Sequence, residues 1–329
     1  GWLRPETFFR LAGAGVEFND LGFVPLVNDL QLKQDLTFQQ LTPSKLFRSA
    51  HAFISVESHW TAGGLPAARQ LQVHASASLR NSWSGAITYT VSDLGGVNCV
   101  SCACGGPALR QSPKHGLRLD VVGDPRPSLV PKGAVRVGTS DEGRSGYGGG
   151  EAGLELRLAS RFSTSLFASF DHVINDQQWV ANYGALLSDT THYTFARLDQ
   201  NIFAFTARAN WTATRALSFQ LYAQPFVATG AYSLWRELQA PRAPSYDGRF
   251  RAYGGGAAPA GFSFRQFNSN AVLRWEYRPA SVLFVVWQQG RLQNVAGTPR
   301  FDAARDVGDL FGSHPDNTVL VKWSWWFNP

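Results

Sequence analysis

The sequence predicts an all-β protein, an antiparallel up-and-down transmembrane β-barrel of about 14 strands. Three observations predict it. Apolar and polar residues alternate with period two along almost the whole chain, so each segment has one apolar and one polar face. The connections alternate between short polar joints and longer Gly-, Pro- and Ser-rich stretches. Aromatic residues gather at strand ends, as in the interfacial girdles of outer-membrane barrels.

Taken in order, strands are expected at 6–18, 30–41, 46–60, 69–80, 83–93, 115–123, 133–139, 150–160, 164–183, 191–211, 216–228, 262–278, 281–291 and 316–327. The alternation is clearest in Leu71-Val73-Ala75-Ala77, Phe203-Phe205-Ala207-Ala209-Trp211, Leu217-Phe219-Leu221 and Ala271-Leu273-Trp275-Tyr277. Short joints fall near Thr42-Lys45, Asn81-Ser82, Arg161-Ser163, Thr212-Arg215 and Arg278-Ala280, with a longer Pro-rich joint at Asp124-Lys132 on the same side. The longer stretches are 19–29, 61–68, 94–114, 140–149, 184–191, 229–261 and 292–315. The Gly clusters Gly146-Tyr147-Gly148-Gly149-Gly150 and Gly254-Gly255-Gly256 read as loops, and no segment shows a long helical period. A soluble β-sandwich or propeller would share the alternation, but not the regular change of loop length.

Composition narrows the class further. Of 329 residues, 44% are hydrophobic, 13% aromatic and 16% charged, which excludes a disordered or collagen-like chain. The longest strongly apolar run, Val282 to Trp287, is too short for a membrane-spanning helix. The net charge is +6, and only five basic residues are Lys. Arg is spread along the chain rather than clustered, so nucleic acid is not an expected partner. There is no Met and no signal peptide, which suggests a portion of a longer precursor.

Charged strand positions are expected to face the interior, because a lipid-facing Arg costs about 2–4 kcal/mol at the bilayer midplane. His74, Glu155, Arg157, Arg208, Asn210, Arg274, Glu276 and Arg278 are the expected lumen-facing set. They would either line a solute path that favours anions or form ion pairs bracing the wall; Glu155 beside Arg157, and Glu276 between two Args, favour bracing. Trp211, Trp275, Tyr277, Trp323, Trp325 and Phe327 are the expected membrane-interface aromatics. Cys99, Cys102 and Cys104 are expected to hold one disulfide, Cys99–Cys104 or Cys99–Cys102, with one thiol left over. Zinc on these thiols with His115 is the weaker alternative, because the second paired-Cys knuckle is missing. Asp171 and His172 near Asp176 could form a carboxylate–imidazole pair, though a solvated strand end fits better. No Gly-x-Ser-x-Gly, His-Glu-x-x-His or phosphate-loop motif occurs, so neither catalysis nor a cofactor is expected.

Several motifs carry a family resemblance: Gly105 to Arg110, Phe195 to Gln200, Leu221 to Phe226, Leu273 to Pro279, and Asp309 to Asn317 running into the last strand. In their order and spacing, residues 105–329 resemble the C-terminal region of a bacterial family of unknown function. Its members are predicted outer-membrane barrels with an N-terminal domain like family-nine carbohydrate-binding modules. The resemblance implies that residues 1–329 are the barrel portion, located in the bacterial outer membrane, with further strands upstream or a self-contained barrel here. Its expected partners are the lipid bilayer and lipopolysaccharide, with other envelope proteins or glycans. The expected role is solute transport or anchoring of a glycan-binding module. The alternatives are a structural subunit of an envelope complex or the barrel of an outer-membrane hydrolase. The last strand would form the terminal aromatic-rich strand typical of such barrels, from which Asn328-Pro329 departs.

Overall fold

The computed structural model describes residues 2–13, 28–184, 190–256, 258–297 and 300–327. In chain order the strands are β1 Leu3–Ala12, β2 Asp29–Gln40, β3 Phe47–Trp60, β4 Pro66–Leu79, β5 Ser84–Ser92, β6 Asn98–Cys99, β7 Leu109–Arg110, β8 Lys114–Val122 and β9 Leu129–Ser140. There follow β10 Ser145–Ala159, β11 Phe162–Tyr183, β12 His192–Thr212, β13 Leu217–Leu238, β14 Phe250–Ala252, β15 Phe262–Arg278, β16 Ser281–Ala296, one helix, α1 Ala303–Gly312, and β17 Asp316–Trp323.

Fifteen of these strands form one antiparallel sheet; fourteen run in the order β1-β2-β3-β4-β5-β8-β9-β10-β11-β12-β13-β15-β16-β17, and the short β14 pairs with β13 off that path. Each pairs with its neighbours along the chain, and all fourteen coincide with a segment read from the alternation. The expectation for residues 14–18, in the first strand, lies outside the described residues, as does most of the 19–29 loop.

The closed barrel is not formed. The outer edges of β1 and β17 have no strand partner among the described residues, so the sheet is open. Alternation fixes which residues pair along consecutive strands. Closure depends instead on the total strand number and shear, which are properties of the whole wall.

Residues opposite one another across a ladder share a face, and neighbours along a strand do not. Following the rungs gives two contrasting faces. One carries Leu36, Ile54 and Val73, which pair in turn, then Ile87, Leu119 and Val135, then Leu154, Leu166 and Ala207, then Leu221, Ala271, Trp287 and Val319. Over rows 162–170, 203–211, 217–225 and 267–275 this face holds no Asp, Glu, Lys or Arg. Each row spans nine residues, ~27 Å along an extended strand. Large side chains on it stand exposed on every strand, among them Phe9, Ile54, Val135, Leu166, Trp275 and Val321.

The opposite face is polar and ion-paired. Lys33–Asp35, Arg118–Glu151, Lys132–Glu155, Arg136–Asp171 and Arg274–Glu276 are all on it.

Three expected loops are structured differently. Residues 140–149 form a tight turn at Asp141–Gly143 between extended strands, and Gly146 to Gly150 belong to β10. Glycines on the two adjoining strands clear space for Tyr147: a side chain at Gly138 in β9 would begin 2.3 Å from its ring, and one at Gly116 in β8 2.6 Å from its hydroxyl. Residues 229–238 continue β13. Within 292–315, β16 runs on to Ala296 and α1 follows, with the Asp302 side chain accepting from the Arg305 amide as its N-cap.

Helix α1 lies against the far end of the apolar face, beyond the charge-free rows. Arg265 donates to Asp306 at 2.7 Å and Asp309 at 2.9 Å, and the Phe267 and Phe311 rings lie 4.9 Å apart. At the same end the connections 93–113 and 239–256 fold into a cap. Its small core is Ala103, Leu109, Phe195, Tyr246 and Phe250. Arg249, 1% exposed, binds it together by donating to the carbonyls of Arg110, Ala243 and Pro244 and to the Ser112 hydroxyl.

Candidate functional site

The expected lumen-facing residues lie at separate places on the sheet. His74 hydrogen-bonds Thr88 at 2.9 Å and stacks on Phe53. Arg208 lies over the Tyr222 ring at 5.3 Å, and Asn210 pairs in register with Ser163 and Gln220. Arg274 donates to Glu276 at 2.9 Å.

Two expected compensations take other partners. Glu155 pairs with Lys132, its diagonal neighbour on the adjoining strand, rather than with Arg157. Arg278 leaves the row of Arg274 and Glu276 at a register shift and lies over the Trp325 ring at 5.5 Å. The Asp171–His172 pair is not made: the two side chains alternate to opposite faces. Asp171 accepts from Arg136 at 2.7 Å, and His172 meets Asn201 at 3.0 Å.

The interface aromatics gather at the short-turn end. Trp211 pairs in register with Phe162 and Phe219. Trp275 and Tyr277 meet edge to face at 6.0 Å, and the Tyr277 hydroxyl donates to the Ser324 carbonyl. Trp323, Trp325 and Phe327 form a continuous run of rings.

Among the cysteines, Cys99 and Cys102 are joined and Cys104 is free and exposed. β6 and β7 form a two-rung hairpin that carries Cys99, and the Cys104 carbonyl accepts from Asn182. His115 bonds the Tyr89 hydroxyl instead, and among the described residues no three His, Cys, Asp or Glu side chains gather as a metal site.

A cluster that sequence reasoning missed lies where the polar face meets the cap. Asp141, in the β9–β10 turn, is 3% exposed. It accepts from the Ser145 hydroxyl, which in turn accepts from the Asp176 amide at 2.8 Å. Asp176 is held by Arg236 at 3.0 Å, and its carbonyl accepts from the Tyr246 hydroxyl. Burial pushes the Asp141 carboxyl above the ordinary carboxylate range, and the nearby Asp176 adds to the push. Burial likewise pushes the Tyr246 phenol well up, so it stays a neutral donor.

Beside this cluster opens a cavity of about 390 Å³, lined in part by Thr90, Lys114, Asp141, Ser145, Tyr147 and Gln177. Gln177 reaches it because β11 bulges between Asn175 and Gln178, a shift that period-two reading does not show.

A family model described as a domain of unknown function (DUF5916) matches residues 1–328, and the chain belongs to that family. Comparison with curated proteins and with solved structures gives no match.

Proposed function

We propose that this member of the DUF5916 family is the lipid-embedded wall of a bacterial outer-membrane β-barrel, serving solute passage or anchoring a glycan-binding module at the cell envelope. The observation that carries the reading is the apolar face. A sheet normally buries such a face against a second layer. Among the described residues this sheet has no second layer across its charge-free rows, and the face runs unbroken across fourteen strands. An exposed apolar surface of that extent marks an apolar surrounding. Nine-residue rows suit the 9–11 residues with which a tilted strand crosses a bilayer. The ring-bearing short-turn end suits the headgroup level, where indoles are favoured. No described helix is long and apolar enough to cross a membrane, which leaves crossing by strands untouched.

The two open edges fit the same reading. Unpaired backbone groups in hydrocarbon cost several kcal/mol each, so further strands would complete the wall. β1 starts and β17 ends at the short-turn end, so strands joining there would continue the alternation. On the polar face, Lys132–Glu155 braces neighbouring strands, and Arg118–Glu151 and Arg136–Asp171 each reach across an intervening strand, which favours a wall over an anion-selective lining.

The test is refolding into phospholipid vesicles. The expected product resists alkaline extraction, and the rows 203–211 and 217–225 are protected from protease. A chain that remains monomeric and folded in buffer without detergent would overturn the reading. Conductance across a planar bilayer then separates solute passage from anchoring.

A further inference from the structure

The two ends of the sheet differ in charge. Six joints make up the short-turn end: residues 41–46, 80–83, 123–128, 160–161, 213–216 and 279–280. The first five each hold one basic residue, Lys45, Arg80, Arg126, Arg161 and Arg215, and Arg278 flanks the sixth. Their only acidic residue is Asp124, which is already paired with Arg126 at 2.6 Å. Among the described residues, the connections between the main strands at the other end hold seven Arg and seven Asp or Glu. Those connections are balanced in charge, and the short joints are not.

These cations, and Arg48 beside the first joint, all stand exposed. Among the described residues, no carboxylate forms an ion pair with any of them except Arg126. Two are laced across neighbouring joints: Arg80 donates to the Ser44 carbonyl at 2.8 Å, and Arg48 to the Ser82 hydroxyl at 2.9 Å. Like charges held on one rim repel, and an anion supplied from outside relieves that repulsion. Indoles share the level of these cations. Trp83, Trp211, Trp275 and Trp323 are exposed at this end, and the Thr212 amide, next to Trp211, donates to the Arg161 carbonyl at 2.8 Å. Exposed indoles favour the headgroup level of a bilayer, so the cations set among them meet headgroups.

We propose that the short-turn rim is a binding surface for anionic phospholipids, with the exposed guanidinium and ammonium groups on the headgroup phosphates. The inference rests on the lipid-embedded reading and adds which lipid that end selects. Guanidinium grips phosphate oxygens bidentately, and Lys45 adds a point charge. A choline headgroup carries its own cation and offers the rim no net charge. A lipid with net negative charge is favoured over it about fivefold for each cation it meets. An acidic polypeptide would answer the charge but leave the indoles between the cations uncovered, whereas a lipid supplies both phosphate and apolar chain.

The full chain is refolded into phosphatidylcholine vesicles in which half of the lipid is chain-brominated, either as phosphatidylglycerol or as phosphatidylcholine. Quenching of tryptophan emission then reports which lipid lies against the protein. Phosphatidylglycerol should quench more strongly, with a relative affinity of about fivefold at low salt. The preference should vanish in about 1 M NaCl, where the screening length falls to about 3 Å. The combined variant Lys45→Gln, Arg80→Gln, Arg161→Gln and Arg215→Gln should at least halve it. Arg80→Lys, Arg161→Lys and Arg215→Lys together retain the charge and should keep it, as should Arg242→Gln with Arg300→Gln at the other end. Equal quenching by the two lipids overturns the proposal and leaves the lipid-embedded reading standing. A preference indifferent to the four Gln substitutions, or abolished by Arg242→Gln with Arg300→Gln, also overturns it. Salt-sensitive binding of polyglutamate, with equal quenching by both lipids, would assign the rim to an acidic protein instead. No quenching by either lipid would remove the lipid-embedded reading and this proposal with it.

Discussion

Leu166 offers a direct test of what the apolar face meets. It lies at the centre of the row 162–170, is 42% exposed, and is flanked in register by Leu154 and Ala207. Three residues along β11, Ser169 points to the opposite face, between Glu151 and Ala204. In water, replacing an exposed strand residue such as Leu166 with Arg changes stability by about 0.5 kcal/mol. At the middle of a bilayer the same Arg costs about 2–4 kcal/mol, a 30- to 900-fold change in the folding equilibrium. Ser169→Arg brings the same side chain to the polar face beside a carboxylate and should cost less than about 1 kcal/mol. The assay is urea titration of both variants in short-chain phosphatidylcholine vesicles, followed by tryptophan fluorescence, with the heat-modified gel shift as the marker of the folded form. The expected order is parent close to Ser169→Arg, and both well above Leu166→Arg. Equal stability of Leu166→Arg and the parent would refute the idea that this face meets lipid. Greater loss in Ser169→Arg would reverse the orientation of the wall.

Four further outcomes follow from particular contacts. Deleting residues 319–329 removes most of β17 and the Trp323-Trp325-Phe327 run, and should abolish vesicle insertion, scored by alkaline extraction. Arg265→Ala removes one of the two guanidiniums on Asp306, 0% exposed, leaving Arg305, and should cost about 2 kcal/mol and expose the α1 region to hydrogen exchange. Alkylation under non-reducing denaturing conditions should add one label per chain, at Cys104, and three after reduction; three labels before reduction would remove the Cys99–Cys102 link. The Asp141 carboxyl titrates higher folded than unfolded, so the folded state holds its proton more tightly. Stability should therefore fall as pH rises from about 4 through the folded value, and that penalty is fully present above it. Asp141→Asn should raise the melting temperature at pH 7 and flatten this slope; a lower melting temperature would contradict the burial argument.

Most of the sheet was legible in the sequence because its faces differ so sharply. Leu217, Phe219 and Leu221 against Ser218 and Gln220 leave one register for β13, and β15 and β16 follow from the same contrast. Where the contrast fades, the reading fails. Gly146 to Gly150 carry a single side chain large enough to show a face, and their composition resembles a loop; the strand is recovered only once Tyr147 is seen lying over Gly116 and Gly138. Helix α1 has ten residues and contains Gly308, so its period is short and diluted, although Asp302 three residues before Arg305 was an available start signal. The ion pairs were anticipated in kind and misassigned in partner, since Glu155 and Lys132 are 23 apart in sequence and adjacent only through the β9–β10 register. The cavity beside Asp141 was invisible because a turn with left-handed residues and a bulge place Asp141 and Gln177 on it.

The cap has a mechanical consequence. Every ladder of the main sheet joins strands adjacent along the chain, so by itself the sheet is a chain of hinges, free to flatten or curl. Arg249, in the connection after β13, donates at 2.8 Å to the carbonyl of Arg110, in the connection after β5. Between β8 and β13 lie five inter-strand steps, ~24 Å measured along the sheet. The two loops thus tie together strands that no ladder joins, and those strands cannot move apart at that rim without breaking the tie. The tie holds independently of what pairs with β1 and β17, which lie outside it.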